Sequence, residues 1–301
     1  MKINNRNIYR SLGGAICAGA FGLMASSTFG QNLFVSSFAG GTITEVSPSG
    51  GQTPFASGLD YPFGIAFDSS GNLFVANTDD NSFTGGSITE YLAGGGTVSL
   101  ASGIDPLALT VNSQGDVFAA DYKGGEIYEF TPGGTRTTIA TGFDTPLSLA
   151  FDPFGNLYVS GGYGDGNGYI DKVTGGTGTP FVTGLSFPAG IVFNGQDMLF
   201  VSSQNNGTIS EYNSLGVGKT FATVSGGLNG LAFDSAGFLY AAGSGPIYKI
   251  APDGSSSSTL TTIAGTPTDL AFQPVPEPSV LGLVGMGAGA LLFFRRKQII
   301  S

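Results

Sequence analysis

Three segments of this chain place a carboxylate just ahead of a proline. They are Gly58-Leu59-Asp60-Tyr61-Pro62, Gly103-Ile104-Asp105-Pro106 and Gly142-Phe143-Asp144-Thr145-Pro146. Further acidic residues follow each one: Asp79 and Asp80, then Asp121, then Asp165. Oxygen-only clusters of this kind suit a hard cation such as Ca²⁺. Tyr61 and Tyr122, which lie among them, could instead contact a sugar ring or a partner protein. The commoner duty of Asp before Pro is to open a turn, with the carboxylate left in water. Other chemistry is narrowly bounded. The chain has no histidine, which removes the commonest general base and imidazole ligand. Its one cysteine is Cys17, near the N-terminus, so thiolate metal sites and disulfides are excluded from the body of the chain.

The elements that must position these residues are repeats. The phrase Gly64-Ile65-Ala66-Phe67-Asp68-Ser69-Ser70-Gly71-Asn72-Leu73-Phe74-Val75 returns as Leu149-Ala150-Phe151-Asp152-Pro153-Phe154-Gly155-Asn156-Leu157-Tyr158-Val159. It returns again from Leu231 to Ala241, and more weakly from Leu109 to Ala119 and from Ile191 to Val201. Each copy reads as strand, tight turn, strand, with Asp or Asn opening the turn and Gly near its end. The second strands begin at Asn32, Asn72, Asp116, Asn156, Met198 and Phe238, spaced by 40 to 44 residues. Two more short strands fit in each interval. A period near 40 with four short strands per unit predicts an all-β, six-bladed β-propeller over residues 31–273.

The count of copies also predicts how the ring closes. The body starts on a second strand at Asn32 and ends on a first strand at Asp269–Phe272. The C-terminal first strand therefore completes the blade begun by the three N-terminal strands. In this register the first strands bring Phe63, Leu107, Leu147, Ala189, Asn229 and Thr268 to the mouth of the central channel. The next positions are Gly64, Ala108, Ser148, Gly190, Gly230 and Asp269. The Asp60-type and Asp79-type loops open on the same face, since strands alternate direction within a blade.

These repeats resemble the NHL-repeat propellers and, more distantly, the gluconolactonase and streptogramin-lyase propellers. The likeness is carried by Pro62-Phe63-Gly64-Ile65-Ala66-Phe67-Asp68 and Gly71-Asn72-Leu73-Phe74-Val75. The lactonase resemblance implies a divalent cation held by Glu, Asn and Asp at the channel. Only Asn229, in Leu228-Asn229-Gly230-Leu231, and Asp269 stand at such positions. The lyase resemblance implies a catalytic histidine, which the chain lacks.

Both ends of the chain read as addresses. Lys2, Arg6 and Arg10, then an apolar run from Leu12 to Met24, then small residues, form a secretory signal over 1–30. At the other end Val275-Pro276-Glu277-Pro278 precedes an apolar run from Val280 to Phe294 and the cations Arg295, Arg296 and Lys297. Such a run spans about 22 Å as a helix, short of the ~30 Å hydrocarbon core. This tripartite tail, 274–301, resembles the PEP-CTERM sorting signal. The resemblance implies export through the Sec translocon, recognition by an exosortase after transient anchoring in the inner membrane, and a surface or extracellular location.

Between the two addresses the basic residues are Lys123, Arg136, Lys172, Lys219 and Lys249, outnumbered by acidic ones in a chain of net charge −10. A nucleic-acid partner is excluded on that balance. The expectation is a non-enzymatic binding or scaffold module, without a cofactor unless Ca²⁺ binds the acidic loops, and with an exopolysaccharide or surface protein as its partner. The alternatives are a metal-dependent lactonase-like hydrolase using Asn229 and Asp269, and a purely structural matrix protein.

Overall fold

The structure is a computed structural model that describes residues 30–78, 85–162, 164 and 166–275. The strands β1 (Leu33–Ser37), β2 (Thr42–Val46) and β3 (Gln52–Ser57) begin the first blade. The second holds β4 (Pro62–Phe67), β5 (Leu73–Asn77), β6 (Ser87–Tyr91) and β7 (Thr97–Ser102). The third holds β8 (Pro106–Val111), β9 (Val117–Asp121), β10 (Ile127–Phe130) and β11 (Arg136–Ala140). The fourth holds β12 (Ser148–Phe151), β13 (Leu157–Gly161), β14 (Gly168–Thr174) and β15 (Thr177–Leu185). The fifth holds β16 (Pro188–Phe193), β17 (Leu199–Ser203), β18 (Thr208–Tyr212) and β19 (Gly218–Thr223). The sixth holds β20 (Leu228–Phe233), β21 (Leu239–Gly243), β22 (Pro246–Ile250) and β23 (Ser257–Thr262). Finally β24 (Pro267–Phe272) returns to pair with β1, antiparallel from Leu33↔Phe272 to Ser37↔Pro267. Six four-stranded antiparallel sheets result, closed as the repeat count predicts.

The turns follow from the side chains that open them. In Asp68-Ser69-Ser70-Gly71-Asn72 one carboxylate oxygen accepts the N–H groups of Ser70 and Asn72, at 2.9 and 2.8 Å. Asp152 and Asp234 cap their turns the same way. Gly71 supplies the left-handed residue, at φ 84°.

Packing between blades rests on one aromatic layer. Near the end of five inner strands a phenylalanine meets an aromatic ring of the preceding blade, edge to face in four of them and tilted in the fifth. The pairs are Phe34–Phe67, Phe118–Phe151, Tyr158–Phe193, Phe200–Phe233 and Tyr240–Phe272, with centroids 4.9–5.0 Å apart. Pairs of this geometry add about 0.5–1.5 kcal/mol each beyond the area they bury. The sixth seam uses Phe74 against Val111. Polar pins reinforce three seams. Ser36, Ser160 and Ser202, at one shared position of the second strands, each donate to an inner-strand carbonyl of the next blade. Their acceptors are Phe63, Ala189 and Asn229, at 2.5–2.6 Å. Ala76, Ala120 and Ala242 hold that position in the other blades, all at 0% exposure.

The inner strands lie close together because one position along them is small. A methyl group on Gly190 would sit 2.5 Å from the Asn229 oxygen and 2.9 Å from the Gly230 Cα. One on Gly230 would sit 2.5 Å from Asp269 Oδ1. The ring places Asp269 at this same position, against the second blade.

Candidate functional site

The six inner strands surround a channel of about 600 Å³. Its mouth carries Phe63, Leu107, Leu147, Ala189, Asn229 and Thr268, as the register of the repeats predicts. The far end is lined by Asp68, Phe151, Phe193, Gln31 and Pro274. Both described chain ends leave on that far face, because β1 runs toward the mouth and β24 runs away from it.

Asp269 is the carboxylate in the mouth half of the channel. Its position on β24 turns it toward β4. Oδ2 accepts the Ile65 N–H at 3.0 Å, and Oδ1 accepts the Leu270 N–H at 2.9 Å. Burial pushes its carboxyl up to about 7, against the downward pull of those two N–H bonds. Directly beside it, Thr268 is buried in a closing network. Its hydroxyl lies 3.0 Å from Ser36 Oγ and donates to the Pro62 carbonyl at 3.2 Å.

Asn229 stands on β20, next to β24. Its Nδ2 donates to the Pro267 carbonyl at 2.8 Å, and its Oδ1 accepts from Gln204 Nε2 at 3.3 Å. The three side chains Gln204, Asn229 and Asp269 thus form a polar arc over the fifth, sixth and first blades. Gln204 comes from the loop after β17, outside the inner-strand ring. Repeat alignment does not single it out, because only the fold brings that loop over the channel.

The divalent cation implied by the lactonase resemblance needs several oxygen ligands. This donor set does not fit one. Each oxygen of Asp269 already accepts a backbone N–H, and the Asn229 carboxamide is bonded at both ends. Among the described residues no three His, Cys, Asp or Glu side chains come together.

The acidic loop residues are spread over the mouth face. Asp60 and Asp144 are exposed. The Asp144 backbone carbonyl accepts Tyr169 Oη at 3.0 Å, which pins that loop to β14. Asp105 is only 1% exposed, and its carbonyl accepts the Tyr122 N–H. Asp121 is buried, and its Oδ1 accepts the Gly124 N–H at 2.9 Å as a turn cap. Asp79, Asp80 and Asp165 lie outside the described residues. So do Pro276, Glu277, Pro278, Arg295 and Arg296 of the sorting motif, while Val275 is exposed at the last described position.

Neither a scan of family models nor a search of curated protein sequences gave a match. Solved structures do match. One is a putative gluconolactonase, 19% identical, with TM-score 0.60 over 71% of this chain and 82% of that one. Another is a gluconolactonase from Xanthomonas campestris, 15% identical, with TM-score 0.60 over 70% and 79%. A third is a catalytically inactive histidine-to-alanine variant of virginiamycin B lyase from Staphylococcus aureus, with quinupristin. It is 13% identical, with TM-score 0.58 over 83% of this chain and 94% of that one. The chain is a six-bladed propeller similar to these.

These neighbours carry the names of enzymes, and that overturns the expectation of a non-enzymatic module. The expectation weighed the channel by its residue types, most of them apolar. It missed what burial does to Asp269, the carboxylate in the mouth half. At such low identity the likeness shows the fold, so an activity has to be argued from this channel.

Proposed function

We propose that the protein opens a cyclic ester at the channel mouth, with Asp269 as general base and then general acid. The observation that carries this reading is a carboxyl held at about 7 beside a cavity large enough for a small ring. A group with that value is half ionised near neutral pH, where proton transfer in both directions is efficient. Ionised Asp269 takes a proton from water as the oxygen attacks the acyl carbon. The ring C–O bond then breaks, and the proton returns to the departing alkoxide. The product is a hydroxy acid. The second N–H of Asn229 Nδ2 is a donor for the developing oxyanion.

The channel wall supports each part of this scheme. Two backbone N–H groups fix the carboxylate, so little is lost to reorganisation. The absence of histidine separates the reading from a lyase that needs one.

Purified protein is assayed for ring opening of δ-valerolactone and glucono-1,5-lactone by acid release. Activity should rise with pH through a midpoint near 7. Asp269→Asn should lower kcat by about 10²–10⁴. Unchanged activity in the variant would remove Asp269 from the chemistry.

We also propose that this activity is exported. The N-terminal segment 1–30 and the tail 274–301 support the reading as addresses. The described ends of the chain, Gly30 and Val275, lie on the face opposite the mouth. Expression with intact ends, followed by sizing of the secreted product, tests it: an unprocessed intracellular chain refutes it.

A further inference from the structure

The mouth of the channel has two unlike sides. On the second, third and fourth blades it presents Phe63, Leu107 and Leu147 in sequence around the wall. Across the opening, on the fifth, sixth and first blades, stand Ala189, Asn229 and Thr268, with Gln204 from the loop after β17 beside Asn229 and Asp269 one residue deeper. In a six-bladed ring the second and fifth blades stand opposite one another, so Phe63 faces the Gln204 side. The apolar side also continues upward out of the channel. Phe38 packs on Phe63 with centroids 6.0 Å apart, and Tyr61 on Phe38 at 4.7 Å. Phe38, Tyr61 and Phe63 are all half-buried, which leaves part of each ring free for contact.

The Tyr61 ring is held there at a cost. Its φ is +46° and it precedes a proline, a conformation that bulky residues avoid. The Thr78 N–H and hydroxyl fix its carbonyl at 3.3 and 3.2 Å. The same φ recurs before proline at Thr145 and Phe187, so it belongs to the turn that enters an inner strand, and at Tyr61 that turn sets an aromatic ring beside the mouth.

From this division we infer that the substrate is a cyclic ester carrying an apolar substituent, and not a free sugar lactone. The inference rests on the reading of the site as an ester-opening centre and names its substrate class. The ester end of the ring belongs on the arc of Gln204, Asn229 and Asp269, where the donors are. An alkyl or aryl group then lies along Phe63, Leu107 and Leu147 and leaves the mouth past Phe38 and Tyr61. A sugar lactone carries hydroxyls around most of its ring. Several of them would face the apolar side with no partner, at a loss of roughly tenfold each.

The test compares three six-membered lactones on the wild-type protein: δ-decalactone, which bears a pentyl chain, δ-valerolactone and glucono-1,5-lactone. The expected order of kcat/KM is decalactone over valerolactone by at least about tenfold, with gluconolactone lowest. Leu147→Asn should bring the decalactone-to-valerolactone ratio of kcat/KM down toward one, because it removes apolar wall that only the pentyl chain needs. Gluconolactone turned over faster than valerolactone would overturn the inference and leave the ester-opening reading standing. If no lactone is opened, that reading falls, and saturation-transfer NMR of δ-decalactone decides the inference separately. Transfer to the pentyl protons that is lost in Leu147→Asn supports an amphipathic mouth. Equal or stronger transfer to gluconolactone refutes it.

Discussion

Asp269→Asn should make this protein more stable at neutral pH, and by an amount that depends on pH in a defined way. The carboxyl ionises near 7 in the folded propeller, against an ordinary value of 3.8. Between those values the unfolded chain has released its proton and the folded one has kept it. Stability therefore falls as pH rises, by about 1.4 kcal/mol per pH unit. It is fullest below pH 4, is lost through the window, and changes no further above about 7. The whole loss is roughly 4 kcal/mol, a large share of the 5–15 kcal/mol that holds most domains together. At pH 4 the neutral carboxyl keeps an acceptor on each oxygen, whereas the carboxamide has one acceptor oxygen and an NH2, so either the Ile65 or the Leu270 N–H loses its partner. The variant should then be less stable than the wild type by about 1–3 kcal/mol. At pH 7.5 the loss of about 4 kcal/mol from the wild type outweighs that cost, and the variant should be the more stable by about 1–3 kcal/mol. Urea unfolding of both proteins at pH 4.5, 5.5, 6.5 and 7.5 measures the difference, in which other titrating groups cancel. Parallel pH profiles would refute the reasoning, because they would mean that Asp269 ionises normally in the fold. A gain in stability with a loss of turnover is the trade expected at a working site.

Other substitutions test the frame around the site. Gly190→Ala must push apart β16 and β20, since the new methyl meets backbone and not a movable side chain. It should cost about 1–3 kcal/mol by urea unfolding. Ser202→Ala removes the hydroxyl that accepts the Gly190 N–H and donates to the Asn229 carbonyl, within a fully buried seam. A loss of about 1–3 kcal/mol is expected, together with slower ester opening as Asn229 loosens. Deleting residues 267–275 removes β24 and leaves β1 with an open edge. The shortened chain should fail to give a cooperative melt and should aggregate, as seen by light scattering.

The amino-acid sequence by itself determined the architecture. Repeated Asp-x-x-Gly-Asn turns between alternating strands set the blade. Six second strands and six first strands, offset by the missing partner at each end, dictated that β24 must close on β1. Periodicity of this kind is local information, written in every copy, so it survives reading in one dimension. It also placed Asn229 and Asp269 on the channel wall, because they occupy two successive positions of the aligned first strands. The tertiary structure decided the chemistry. Gln204 reaches the mouth from a loop, where no repeat position marks it. The acidic loop residues looked like a group by spacing, yet Asp121 caps a turn and Asp60 and Asp144 stay in water. Ionisation of Asp269 depends on how much protein surrounds it, and that is a sum over six blades contributed from across the chain. Residue type alone cannot carry it, since a carboxylate reads the same in sequence whether water or β4 lies beside it.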